Sequence, residues 1–164
     1  MKIAGIFRVW EHGKIVFETH NQITDIGQEM FVALATGGYG DPSVGGDTLG
    51  SSGTMRDFSI DNMQVTAQVS PTAADQTDTA LEGTVLWTSD RDGDEDGSLV
   101  FTFPSAGVIR CNATIPAVSS IDGQTITEEG LFNANGDLLA RATGSYTKAN
   151  GTGANFTHDL TLSL

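Results

Sequence analysis

Residues 154–164 read ANFTHDLTLSL, and their alternation decides the fold. On an extended chain Phe156, Leu160, Leu162 and Leu164 fall on one side, with Thr157, Asp159, Thr161 and Ser163 on the other. A strand with one apolar and one wet face belongs to an antiparallel sheet that covers a core. His158 shares the apolar side, which predicts a hydrogen-bonded core or interface histidine.

The same pattern recurs upstream. Residues 3–10 (IAGIFRVW) and 14–20 (KIVFETH) are apolar-rich runs joined by Glu11-His12-Gly13, which predicts a β-hairpin. Further strands are predicted over 57–69, 82–88, 98–103, 106–115, 124–133 and 137–147. Asp122-Gly123 and Asn135-Gly136 punctuate them, and Asn135-Gly136 predicts a two-residue hairpin turn. One segment follows a helical period instead. Asp25 is placed to cap it, Gln28 completes a capping box, Met30, Phe31 and Leu34 form a stripe, and Gly37-Gly38 stop it. The predicted architecture is all-β: an antiparallel β-sandwich with jelly-roll or Greek-key connections and one short α-helix near residues 25–36. A single domain over 1–164 is expected. The Gly-rich stretch 37–54 has no hydrophobic period and is expected as a surface loop, either an arm that orders against a partner or a plain connector.

Charge narrows the function classes. Twenty-one acidic against eight basic residues give a formal charge of −13. Nucleic acids and anionic membranes are bound through clustered Lys and Arg, so neither is an expected partner. The single cysteine, Cys111, excludes an intrachain disulfide and a multi-cysteine metal site, and its strand-like setting predicts a buried inert thiol. The N-terminal residues MKIAGIFRVWEHGK lack the layout of a secretory signal, so synthesis in a host cytoplasm is expected.

Few residues are arranged for chemistry. The densest charge run forms an acidic hairpin predicted at 89–97. Within it Asp92, Asp94 and Asp96 have the D-x-D-x-D-G spacing of oxygen ligands for calcium, the one cofactor considered. An EF-hand would need Glu at its twelfth position, where Phe103 stands inside a predicted strand, so the readings are a hairpin calcium loop or an exposed acidic tip. His12, His20 and His158 lack zinc-site spacing, and there is no nucleophile elbow, P-loop or dinucleotide fingerprint. Glu128 and Glu129 alternate across a strand and so do not make a catalytic pair. No enzymatic activity is expected.

Two passages carry a resemblance. The first is His20-Asn21-Gln22-Ile23-Thr24-Asp25-Ile26-Gly27. The second is Ile126-Thr127-Glu128-Glu129-Gly130-Leu131-Phe132-Asn133, followed by Gly136-Asp137-Leu138-Leu139-Ala140-Arg141-Ala142. Their order and separation resemble small bacteriophage virion proteins that share N-x-I-T-x-x-G early and I-x-E-x-G-L-F…G-x-L-x-A-R late. The resemblance covers roughly residues 1–36 and 124–146. It implies a virion structural protein of the head-decoration or the tail-fibre and baseplate type.

On this basis the expected function is that of a capsid decoration, or cement, protein. It would bind the outer shell as a homo-oligomer, a dimer or trimer, with the major capsid protein or another virion protein as partner. Phe7, Trp10 and Tyr39 are the candidate partner contacts, although Trp10 reads equally as a core ring. Glu128 and Arg141 are a candidate inward ion pair across the Asn135-Gly136 turn that would fix register, the other reading being two solvated side chains. The alternative function is a tail, baseplate or fibre-attachment subunit. A third is a calcium-dependent carbohydrate-binding sandwich using Asp92, Asp94, Asp96 and the neighbouring Trp87.

Overall fold

Four strand pairs and a final strand build the main sheet. The computed structural model describes residues 2–35, 47–49, 55–57, 60–67, 70–91 and 98–163. Its elements in chain order are β1 (Lys2–Glu11), β2 (Lys14–Ile23), α1 (Asp25–Ala35), β3 (Asp47–Leu49), β4 (Met55–Asp57), β5 (Ile60–Ala67), β6 (Thr84–Asp90), β7 (Leu99–Ser105), β8 (Val108–Ile115), β9 (Thr125–Asn133), β10 (Leu138–Thr147) and β11 (Ala154–Ser163). The fold is all-β with one short helix. Part of the stretch expected as plain loop is extended, because β3 pairs with β4 in a separate ribbon.

The other strands form one nine-stranded antiparallel sheet in the order β6-β5-β9-β10-β2-β1-β11-β8-β7. Two packed sheets were expected; instead a single sheet curls into a half-barrel and buries its own concave side. Trp87 on β6 meets Phe156 on β11 with ring centroids 6.0 Å apart, although five strands lie between them along the sheet. Phe7 and Tyr146 also meet Phe156 edge-on, at 5.8 and 6.1 Å. Twist accumulated over many strands curls a wide sheet, and bulges sharpen the bend. Register shifts at Val9/Trp10, Val65/Thr66, Leu138/Ala140 and Thr143/Tyr146 supply them.

Most of the acidic hairpin expected at 89–97 lies outside the described residues, which stop at 91 and resume at 98. β6 pairs with β5 and β7 with β8, which leaves these strands at opposite edges of the sheet. Among the described residues the two strands touch through an isolated parallel bridge, Asp90–Ser98.

Local chemistry sets the turns. The β1–β2 turn is His12-Gly13, with φ of 49° and 73°, closed by the Glu11–Lys14 pair. Two successive positive φ values match the twist of a tight hairpin. The β9–β10 turn is one residue longer than expected. The Asn133 N–H donates to Asp137 O at 3.1 Å, and the Gly136 N–H to Asn133 O at 3.0 Å, with Gly136 at φ 81°. The Asn133 side chain stabilises this loop by accepting from the Asn135 and Asp137 N–H groups.

The helix cap also lies one residue earlier than expected. Thr24, not Asp25, caps α1: its hydroxyl accepts from the Gly27 N–H at 3.1 Å, and its carbonyl accepts from the Gln28 N–H at 2.8 Å. Gly27 is required by close packing, since a Cβ there would stand 2.0 Å from Leu139 O. Gly27→Ala is therefore expected to cost about 3 kcal/mol by forcing the helix off β10. Gly13→Ala, in open space but at positive φ, should cost about 1 kcal/mol. Denaturant titration of both variants checks the difference; equal costs would contradict the close contact of α1 with β10.

Candidate functional site

The two motif passages are far apart in sequence and adjacent in space. β2 pairs with β10 through Ala140–Ile23, Arg141–Gln22 and Ala142–Asn21. Beyond the end of β2, the Thr24 hydroxyl donates to Leu138 O at 2.6 Å and its N–H donates to Leu139 O at 3.1 Å. The early and late motifs thus build one structural junction.

Glu128 and Arg141 meet at that junction. Arg141 alternates with the core residues Ala140 and Ala142, so it lies on the sheet face turned away from the core, not inward as expected. Segment 70–83 passes over it and leaves it fully buried. Its guanidinium donates to Glu128 at 2.6 and 3.0 Å, to Asp78 at 2.7 Å and to Thr72 O at 3.3 Å, and Glu82 lies 3.2 Å away. Glu128 also accepts from the Thr66 hydroxyl and from the Glu82 and Gly83 N–H groups. Burial alone would raise the Glu128 carboxyl, but these hydrogen bonds outweigh it and hold it below its ordinary value. Asp78 and Glu82 escaped sequence reading, because no periodicity marks which loop carboxylates will fold back onto a buried arginine.

A second polar group lies inside the half-barrel. His158 Nδ1 is 2.9 Å from both Glu129 carboxylate oxygens, and both residues are buried. On the other side of the ring, His158 Nε2 contacts the Asn21 side-chain amide. Asn21 in turn requires Gly5, where a Cβ would overlap its amide. Cys111 stands opposite His158 on β8. Its thiol is pushed well up by burial, and the negative charges of Glu129 and Asp159 add to the effect.

On the outer face of β1, β11 and β8, Asp159 accepts from Arg110 at 2.6 and 2.7 Å and from Arg8 at 2.7 Å. Arg8 also donates to Glu18 at 2.6 Å. Burial would raise the Asp159 carboxyl, but Arg110 and Arg8 hold it below its ordinary value. The Trp10 indole N–H donates to the Thr157 hydroxyl at 3.0 Å. Trp10, Gly13, Arg110, Asn112, Asn155 and Thr157 line an open depression beside this cluster.

Of the expected contact residues, Phe7 is 3 % exposed and belongs to the core, because odd-numbered positions of β1 face inward. Trp10 is half-buried on the outer face. Tyr39, Asp92, Asp94 and Asp96 lie outside the described residues. Among the described residues no group of three or more His, Cys, Asp or Glu is placed to hold a metal ion. Trp87 is 2 % exposed, so its ring fills the core and is closed to sugar stacking. Exposed apolar side chains include Val85 on β6 at 50 %, and Val100 and Phe103 on β7 at 52 % and 74 %, on the two edge strands, besides Ile15 and Val16 on β2 and the loop residue Val118.

The chain matches no family model, no curated protein and no solved structure with which it was compared.

Removing the buried cation should unsettle the junction. Arg141→Met is expected to cost about 3–5 kcal/mol by leaving buried carboxylates unpaired, and adding Glu128→Gln should recover part of the loss. Both are read by denaturant titration. The lowered carboxyls of Glu128 and Asp159 set the acid response. Their contribution is complete above the unfolded carboxylate values of about 4 and disappears as pH falls through their lower folded values. The Tm of the native protein should therefore drop on acidification, and Asp159→Asn should flatten that drop. Cys111 should resist a thiol reagent in the native protein and react on unfolding; reaction at the native rate of a surface thiol would contradict its burial.

Proposed function

We propose that the protein is a non-enzymatic bacteriophage virion component, and specifically a capsid decoration protein that reinforces the shell as a homo-oligomer. The observation that carries this reading is the convergence of the two virion-type motifs on one junction, through Thr24, Leu138, Leu139 and the Glu128–Arg141 pair. Residues that resemble a family and also cooperate in space are a stronger sign of shared architecture than scattered matches. The exposed apolar residues of β6 and β7 support a partner-binding role, since strands at the edge of the described sheet that carry such residues are templates for association. Several weak contacts of this kind, repeated in an oligomer, give firm attachment to a lattice.

Quantitative densitometry of purified virions tests the reading. A decoration protein should appear in molar amounts comparable to the major shell protein. A small fraction of that amount would place it in the tail instead, and absence from virions would end the virion reading. Phe103→Asp combined with Val100→Lys should weaken attachment to undecorated shells in a co-sedimentation assay while leaving the Tm of the isolated protein close to its original value. Unchanged attachment would remove the β7 edge from the contact.

A further inference from the structure

We infer that the outer face of β1, β11 and β8 carries a binding site for a neutral saccharide, centred on Trp10, Arg110, Asn112 and Asn155. This goes beyond the virion reading and does not depend on it. Strand register places these residues together: Trp10 stands opposite Asn155, Thr157 opposite Asn112, and Asp159 opposite Arg110. Alternate residues of three hydrogen-bonded strands therefore share one rigid face. They line an open depression of about 330 Å³, which falls in the size range of small-molecule sites.

Trp10, Arg110 and Asn155 are held in place by hydrogen bonds, and Arg110, Asn112 and Asn155 retain binding capacity. The bond from the Trp10 indole N–H to Thr157 orients a half-buried ring. Arg110 uses Nε and Nη2 on Asp159, which leaves Nη1 without a partner among the described residues. The Asn155 carbonyl accepts from the Thr114 hydroxyl, so its amide N–H groups remain. The Asn112 amide has no hydrogen-bond partner among the described residues and offers both donor and acceptor.

This inventory matches a pyranose. A sugar ring presents an apolar C–H face for an aromatic side chain and hydroxyls that both donate and accept. The site's formal charges balance, since Arg8 and Arg110 face Asp159 and Glu18. With no excess positive charge there, and −13 over the chain, carboxylate and phosphate ligands are disfavoured. None of the recognition groups Trp10, Arg110, Asn112 and Asn155 is a carboxylate, the main calcium ligand, so binding is expected without calcium.

The test is tryptophan fluorescence of the full chain titrated with a panel of neutral hexoses and their disaccharides, in the presence of chelator. Trp87 is buried, so a ligand at the surface acts on Trp10 emission. We expect a saturable change at millimolar sugar for at least one member of the panel. Asn112→Ala should weaken it about tenfold, the loss of roughly one hydrogen bond, with an unchanged far-UV spectrum. Trp10→Phe should leave calorimetric binding measurable but weaker. The proposal is overturned if no neutral sugar gives saturation, or if binding requires calcium. It is equally overturned if Asn112→Ala and Asn155→Ala bind as well as the native chain. Saturation by acetate, inorganic phosphate or adenosine but by no sugar would assign the depression to another ligand class and overturn it too.

Discussion

A guanidinium with no access to water sits at the centre of this fold. Arg141 is fully buried, yet it lies on the face of the sheet turned away from the apolar core. Burying such an ion is costly unless carboxylates and hydrogen-bond acceptors surround it. Glu128 on the neighbouring strand supplies the nearest charge, and segment 70–83 supplies Asp78, Glu82 and the Thr72 carbonyl. That segment has no regular secondary structure. Its path over the sheet is tied down by these ionic contacts and by the Asp25 N–H donating to Gln76 O at 2.7 Å. The arginine therefore orders the strap and, through it, the start of α1.

The motif residues gain a physical meaning from this arrangement. Asn21 fills the space left by Gly5 and contacts His158; Thr24 caps α1 and bonds to β10; Gly27 lets the helix approach Leu139 O. Gly130 is similarly confined, since a Cβ there would stand 2.9 Å from both Leu81 and Leu138. These residues build the fold from within. The surfaces proposed for contacts with other molecules, the edge strands and the outer face around Trp10, lie outside these motif residues. Two proteins sharing the motifs would share a scaffold while differing in what they bind.

Much of the strand layout was legible. Predicted segments such as 106–115 and 137–147 fall almost on Val108–Ile115 and Leu138–Thr147, because period-two alternation records which side of each strand meets a core. The Glu128–Arg141 contact was also within reach, since both flank one hairpin. Sheet membership was not legible. β6 and β7 are close in sequence with a turn-like run between them, yet each took a different partner and they became opposite edges. The Phe7 ring was assigned to a contact surface because alternation alone does not say which face of a hairpin is wet.

The sequence by itself determined the class of the fold, the approximate positions of the nine strands of the main sheet and the short helix at Asp25–Ala35, since local periodicity and turn chemistry are written in neighbouring residues. The tertiary structure decided that one curled sheet replaces two, that distant carboxylates converge on Arg141, and that Trp10 lines a depression while Trp87 is buried. These outcomes depend on bulges, twist and long-range pairing, whose energies come from contacts between residues far apart in the chain. No local window of sequence contains them.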